Sequence, residues 1–268
     1  MSDPSSTSRV RAAAALVLVA LGAAGFAIAF RLSGQHASDW LFGPGTLLAV
    51  FRRQPWWARL LLPPMGGLLG VGFMTLLERG ERLATRTKWP LLVRILLGAF
   101  GVGALAVALP EVVGNGFEPL SELLSGRLPM FVLFALLLAK PIATTVSVSS
   151  GLPGGVFTPT LLMGACLGAL FGAAVNGLFP GQVAPASAYA LVGVAGLCAA
   201  TTHAPIMAAV LVFELSGDYA IVLPLMLVCT CASWVSERLH PTSIYEAELE
   251  RRGLAWFDAP GKRRLGPL

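Results

Sequence analysis

Ser149-Ser150-Gly151-Leu152-Pro153-Gly154-Gly155-Val156-Phe157-Thr158-Pro159 separates two apolar runs, about Phe131–Val146 before it and Val156–Leu178 after it. Glycine and proline crowd the junction, so neither run continues through it as a helix. Irregular backbone between spanning segments is tolerated in a bilayer only where it is buried in protein or lines an aqueous cavity. In transporters such breaks mark binding sites, because the N-termini of half-helices point at anions. Gly154 and Gly155 allow a tight backbone that a ligand can approach closely. Pro159 falls in the first turn of the following helix, where a missing N–H does no harm. The N–H groups of Val156 and Phe157 are then helix-start donors without partners. With the helix dipole they can hold a small anion without any positive side chain. Conduction requires such weak binding. The alternative is a glycine-rich interhelical turn that holds no ligand.

The rest of the chain supports a membrane setting. Of 268 residues, 56% are hydrophobic and 12% charged, and the mean hydropathy is +0.75. A soluble domain carries about 25% charged residues. Between Lys140 and Glu214 there is no Asp, Glu, Lys or Arg. These features exclude a soluble globular domain, a disordered chain and a nucleic-acid-binding tail. The expected fold class is all-α, a polytopic membrane protein with broken and half-spanning helices. The net charge of +5 comes from basic residues flanking apolar spans, which suits orientation and anionic headgroups rather than nucleic acid.

Spans of about 20 residues are expected at Ala12–Phe30, Leu60–Leu77 and Leu91–Leu109, in addition to the two around the junction. The first is expected to be a retained helix; a cleaved signal peptide is the alternative. Arg52, Arg53, Trp56, Trp57 and Arg59 form an interfacial belt, and Pro63-Pro64 is expected to mark the start of the second span. The charged stretch Glu78–Lys88 must lie outside the hydrocarbon. Leu120–Leu128 is expected to be a short helix. Gly164, Gly168 and Gly172 place a glycine stripe on one face of the Val156–Leu178 helix, permitting close helix approach. Ala188–Ala200 and Pro205–Leu215 are each too short to span, and the last apolar piece is Tyr219–Val235.

Gly154-Gly155-Val156-Phe157-Thr158-Pro159 resembles the G-x-F-x-P signature of the CLC chloride channels and chloride/proton antiporters. Its lead-in from Lys140-Pro141 to Ser150 is similar to the family's, as are His203-Ala204-Pro205, Phe213–Tyr219 and Leu223-Pro224 in its late helices. Ser243-Ile244-Tyr245-Glu246 resembles the last helix, and Gly114-Asn115-Gly116 a glycine-rich loop. The resemblance runs in order from about Gly66 to Leu249. It implies a CLC-type fold and chloride or small-anion transport, with an anion-binding site at Gly154, Gly155, Val156, Phe157, Pro159 and Tyr245. The Val156 and Phe157 amides would contact the anion, and the Tyr245 hydroxyl would donate a further hydrogen bond. From its own neighbourhood Tyr245 would be an interfacial anchor. The family's first half carries G-S-G-I-P and G-x-E-G-P motifs, and neither occurs here. The resemblance therefore implies an internal deletion of most of the first inverted half, and without the gating glutamate no proton coupling is expected. A non-conducting relic or interaction protein is the second possibility.

The expected organisation is a cytoplasmic segment 1–11, N-terminal membrane helices 12–72, the C-terminal half of the core 73–236, and a terminal helix with a basic tail 237–268. Arg9 and Arg11 at one end and Arg251 to Arg264 at the other place both termini in the cytoplasm of a cell (plasma) membrane protein. Expected partners are membrane lipid, chloride, and a second copy of the chain through Pro205–Val235. No cofactor is expected. Cys166, Cys198, Cys229 and Cys231 are expected to be small buried hydrophobes, and His36, His203 and His240 share no metal-ligand spacing. Lys140 is expected to snorkel to the interface, Glu214 to sit near a helix end, and Asn176 to end a helix. Ser149 or Ser150 with His203 would suit an intramembrane serine protease only within hydrogen-bond reach, and no enzyme is expected.

Overall fold

The computed structural model describes residues 56–180, 185–217 and 222–251, so the expected first span, the Arg52–Arg53 part of the belt and the basic tail after Arg251 lie outside the described residues. The described residues form nine α-helices and no strand. In chain order they are α1 (Trp56–Arg86), α2 (Leu91–Ala108), α3 (Phe117–Leu124), α4 (Met130–Ser150), α5 (Phe157–Leu178), α6 (Ala186–Thr202), α7 (Pro205–Ser216), α8 (Val222–Leu239) and α9 (Ile244–Arg251). A single 3-10 turn, Pro110–Val112, follows α2. Among the described residues, four helices are long and apolar enough to cross a membrane: α1 from Leu61, α2, α4 and α5. Helices α6 and α7, at 17 and 12 residues, are apolar but shorter.

The core is built around α6, which is buried without interruption from Ala188 to Thr201. Because α6 is apolar all round, hydrophobicity does not choose its facing side. Steric fit does. A Cβ added at Gly168 would run into the Tyr189 carbonyl, one at Gly172 into the Tyr189 ring, and one at Gly193 into the Gly164 carbonyl. The glycine stripe expected on α5 thus lets the α5 and α6 backbones touch. On the other sides α6 meets α8, α1 and α7. Helix α4 flanks α5, and α2 lies outermost against α4 with Gly98 its one buried residue. The outward side of α2 is apolar, with Leu92, Phe100 and Val107 largely exposed, as a lipid-facing helix requires.

Several expectations need correction. Pro63 and Pro64 lie inside α1 and do not mark its start. They leave two carbonyls one turn earlier without their usual donors, which membrane helices accommodate. Beyond the expected span Leu60–Leu77, α1 runs on through the charged stretch to Arg86. Its 31 residues span about 46 Å, beyond a hydrocarbon core of about 30 Å, so the charged end continues as helix outside it. Lys140 does not snorkel to an exposed position: it is buried within the protein, at 1% exposure. Three of the cysteines are buried as expected, whereas Cys231 is exposed on α8.

Candidate functional site

Helix α4 ends in a Schellman arrangement. Gly151 adopts φ +89°, its N–H donates to the Val148 carbonyl at 3.1 Å, and the Leu152 N–H donates to the Ser147 carbonyl at 3.1 Å. Gly151 is the position whose conformation demands glycine here. Gly154 and Gly155 have no left-handed φ, and a Cβ at Gly155 would meet nothing within 4 Å. Their exposed backbone instead leaves an open approach to the next helix. The Ser149 carbonyl, left over at the end of α4, accepts a 2.6 Å hydrogen bond from Arg94 Nη2 of α2. A cation at a helix C-terminus also complements the macrodipole. The same corner is pinned by Gly98, where any Cβ would collide with the Ser150 side chain.

Helix α5 begins with Val156 as N-cap, and no side chain caps it. The first backbone bond of the helix runs from the Thr160 N–H to the Val156 carbonyl at 3.2 Å. Pro159, in the first turn, has no N–H and is buried. The amides of Val156, Phe157 and Thr158 therefore form a run of helix-start donors that the helix itself cannot satisfy. Val156 packs against the apolar cluster of Phe73, Met74, Leu77, Met163, Leu197 and Ile244, and Phe157 against the main core. The side chains of both residues are thus held in apolar packing.

Tyr245 lies in the first turn of α9 and is 44% exposed, next to Ile244, which shares the Val156 cluster. The structure thus brings α9 and the start of α5 onto one cluster. Partial burial, and secondarily the Cys198 thiol, hold the Tyr245 hydroxyl above its usual pKa, so it stays a neutral donor.

The serine protease arrangement is not formed. The Ser149 and Ser150 hydroxyls donate back to the Thr145 and Val146 carbonyls of α4, each at 2.6 Å. His203, left-handed at the end of α6, places Nε2 3.4 Å from Ser236 Oγ. Among the described residues no group of three or more His, Cys, Asp or Glu could hold a metal. Two positioning residues escaped the sequence: Lys140, whose Nζ donates to the Val112 and Gly114 carbonyls at 2.8 and 2.9 Å, and Arg94. The available signal was that each is an isolated charge inside an apolar run.

The family profile described as "Voltage gated chloride channel" matches residues 4–237. The chain belongs to the CLC family of voltage-gated chloride channels. It is 36% identical over 181 residues to the voltage-gated ClC-type chloride channel ClcB of Escherichia coli (strain K12 / DH10B), covering 68% of this chain and 43% of ClcB. A ClcB-like protein of Ralstonia nicotianae is 39% identical over 185 residues, or 69% of this chain and 43% of that protein. Among solved structures, a slow cyanobacterial Cl−/H+ antiporter matches with TM-score 0.65 at 26% identity, covering 75% of this chain and 48% of the antiporter. A CLC-type fluoride/proton antiporter matches with TM-score 0.60 at 25% identity, over 70% of this chain and 44% of that one. The CLC chain thus spans less than half the length of the curated relatives it matches. It is an all-helical membrane protein of CLC type.

Proposed function

We propose that this chain moves chloride or a similar small anion across a membrane, holding the anion on the backbone amides of Val156, Phe157 and Thr158. The carrying observation is the uncapped start of α5 beside the open backbone of Gly154 and Gly155. Dipolar N–H donors bind a small anion without the deep trap a full cation would make. Tyr245 supplies a further neutral donor from α9. No cofactor takes part, the membrane is the cell membrane with both termini cytoplasmic, and two copies pair through Pro205–Val235.

Phe157 occupies the first helical position of α5. Phe157→Pro removes its amide proton and disfavours the αR conformation that Val156 holds at φ −99°, ψ −17°. Phe157→Leu keeps the amide. Chloride binding by calorimetry and chloride efflux from liposomes should be lost in Phe157→Pro and retained in Phe157→Leu. Unchanged chloride binding in Phe157→Pro would refute the amide site. The second reading is a non-conducting family member, motivated by a sequence in which the G-S-G-I-P and G-x-E-G-P motifs do not occur. Chloride binding without efflux from inserted protein would select it.

A further inference from the structure

Helix α9 has eight residues, too few to be stable alone, so its seat depends on what ties it down. Ile244 is buried against α1 residues Phe73, Met74 and Leu77. A capping box closes its first turn: the Ser243 N–H donates to Glu246 Oε2 at 2.9 Å, and the Glu246 N–H to Ser243 Oγ at 3.2 Å. A further tie is His240, just after α8, whose N–H donates to the Ser236 carbonyl at 2.7 Å. Its ring lies between two acceptors. Nδ1 is 2.8 Å from the Thr242 carbonyl, and Nε2 is 2.9 Å from Glu78 Oε1 of α1. A carbonyl only accepts, so Nδ1 carries a proton. Nε2 can then bond the carboxyl only if a second proton lies between them; a neutral ring would set a lone pair against a carboxylate.

We propose that Glu78 and His240 form a proton-binding latch that positions α9, and with it Tyr245, against α1. Its bearing on anion binding rests on the role of Tyr245 proposed above. The charged groups around the ring come from α1, α8 and α9. From α1, Arg82 Nη2 takes the other oxygen of Glu78 at 3.1 Å. On α8, Glu237 accepts from Ser233 Oγ at 2.7 Å and Arg238 lies over the Trp234 ring, so both are turned to other partners. From α9, Glu246 accepts from the Ser243 amide. The C-terminal end of α8 adds the negative end of its dipole. The latch is closed with the proton bound and opens as rising pH removes it.

The test uses the full 268-residue chain in lipid nanodiscs with 15N-labelled histidine. There are three histidines, and His240 is assigned by its loss in His240→Gln. In the wild type both His240 ring nitrogens should be protonated at the acid end of the pH 5–8 range in which imidazoles switch, and one proton should leave as pH rises. Amide exchange across 244–251 should quicken in step. Glu78→Gln should make His240 release its proton at lower pH and α9 exchange fast throughout. A His240 ring neutral over the whole range, or α9 exchange indifferent to its titration, overturns the latch. Chloride affinity in the same samples should weaken by about fivefold or more across the titration, at the lower end of ordinary site coupling. If the latch signals are present while Tyr245→Phe leaves chloride affinity unchanged, the latch stands and the Tyr245 contact fails.

Discussion

A lysine ammonium has three donors and no acceptor, so one buried in α4 must find oxygen. Lys140 finds the Val112 and Gly114 carbonyls and thereby fastens the turn after α2 to the middle of α4. Gly116, at φ +92°, packs in the same corner, where a Cβ would lie 3.3 Å from Lys140 Cε. Lys140→Met keeps most of the length and removes the donors. It should lower stability by about 1.5–3 kcal/mol, the usual worth of a hydrogen bond to a charged group, read as a lower denaturation midpoint in detergent. An unchanged midpoint would mean that both carbonyls find other donors. The sequence placed Lys140 at the edge of a charge-free stretch, and from there snorkelling was the reasonable expectation. Depth in the bundle depends on which neighbours surround α4, and no local pattern records that.

At the scale of elements, the α5–α6 crossing carries the sharpest steric demand. Gly168→Ala would drive its methyl into the Tyr189 carbonyl and should cost about 1–3 kcal/mol. Gly103→Ala, on α2 with nothing within 4 Å, should be neutral or stabilise by up to about 1 kcal/mol. Equal melting shifts for the two would show that the helices do not touch there. The glycine stripe, the breaks at Gly151–Gly155 and His203–Ala204, and most helix limits were legible because they depend on composition and local conformation. The far end of α1 was not. Charged residues report where hydrocarbon stops, whereas a helix continues in water if its own pairs support it, as Glu78 and Arg82 do at i, i+4. The candidate site was legible in part: the α5 start is local, but the role of Gly151 as the residue with the special φ, and the hold of Arg94 on Ser149, depend on how α2 meets α4.

For the whole molecule, pairing of two copies through Pro205–Val235 can be read with the chain's own thiols. Cys166, Cys198 and Cys229 are buried, and Cys231 is exposed on α8. A short bis-maleimide should cross-link two chains in lipid, and Cys231→Ser should abolish the product; monomer alone at high protein density in lipid would count against that interface. The burial of α6 has a consequence for how the protein is made. At 17 residues it falls short of the roughly 20 that carry a helix across by themselves, and no side of it is suited to meet lipid headgroups or water. As the chain leaves the ribosome, α5 arrives first and offers its glycine groove, while α8 is still to be synthesised. Helix α6 is therefore shielded on one flank early and on the other late. In that interval the flank that α8 will cover has no partner within the chain.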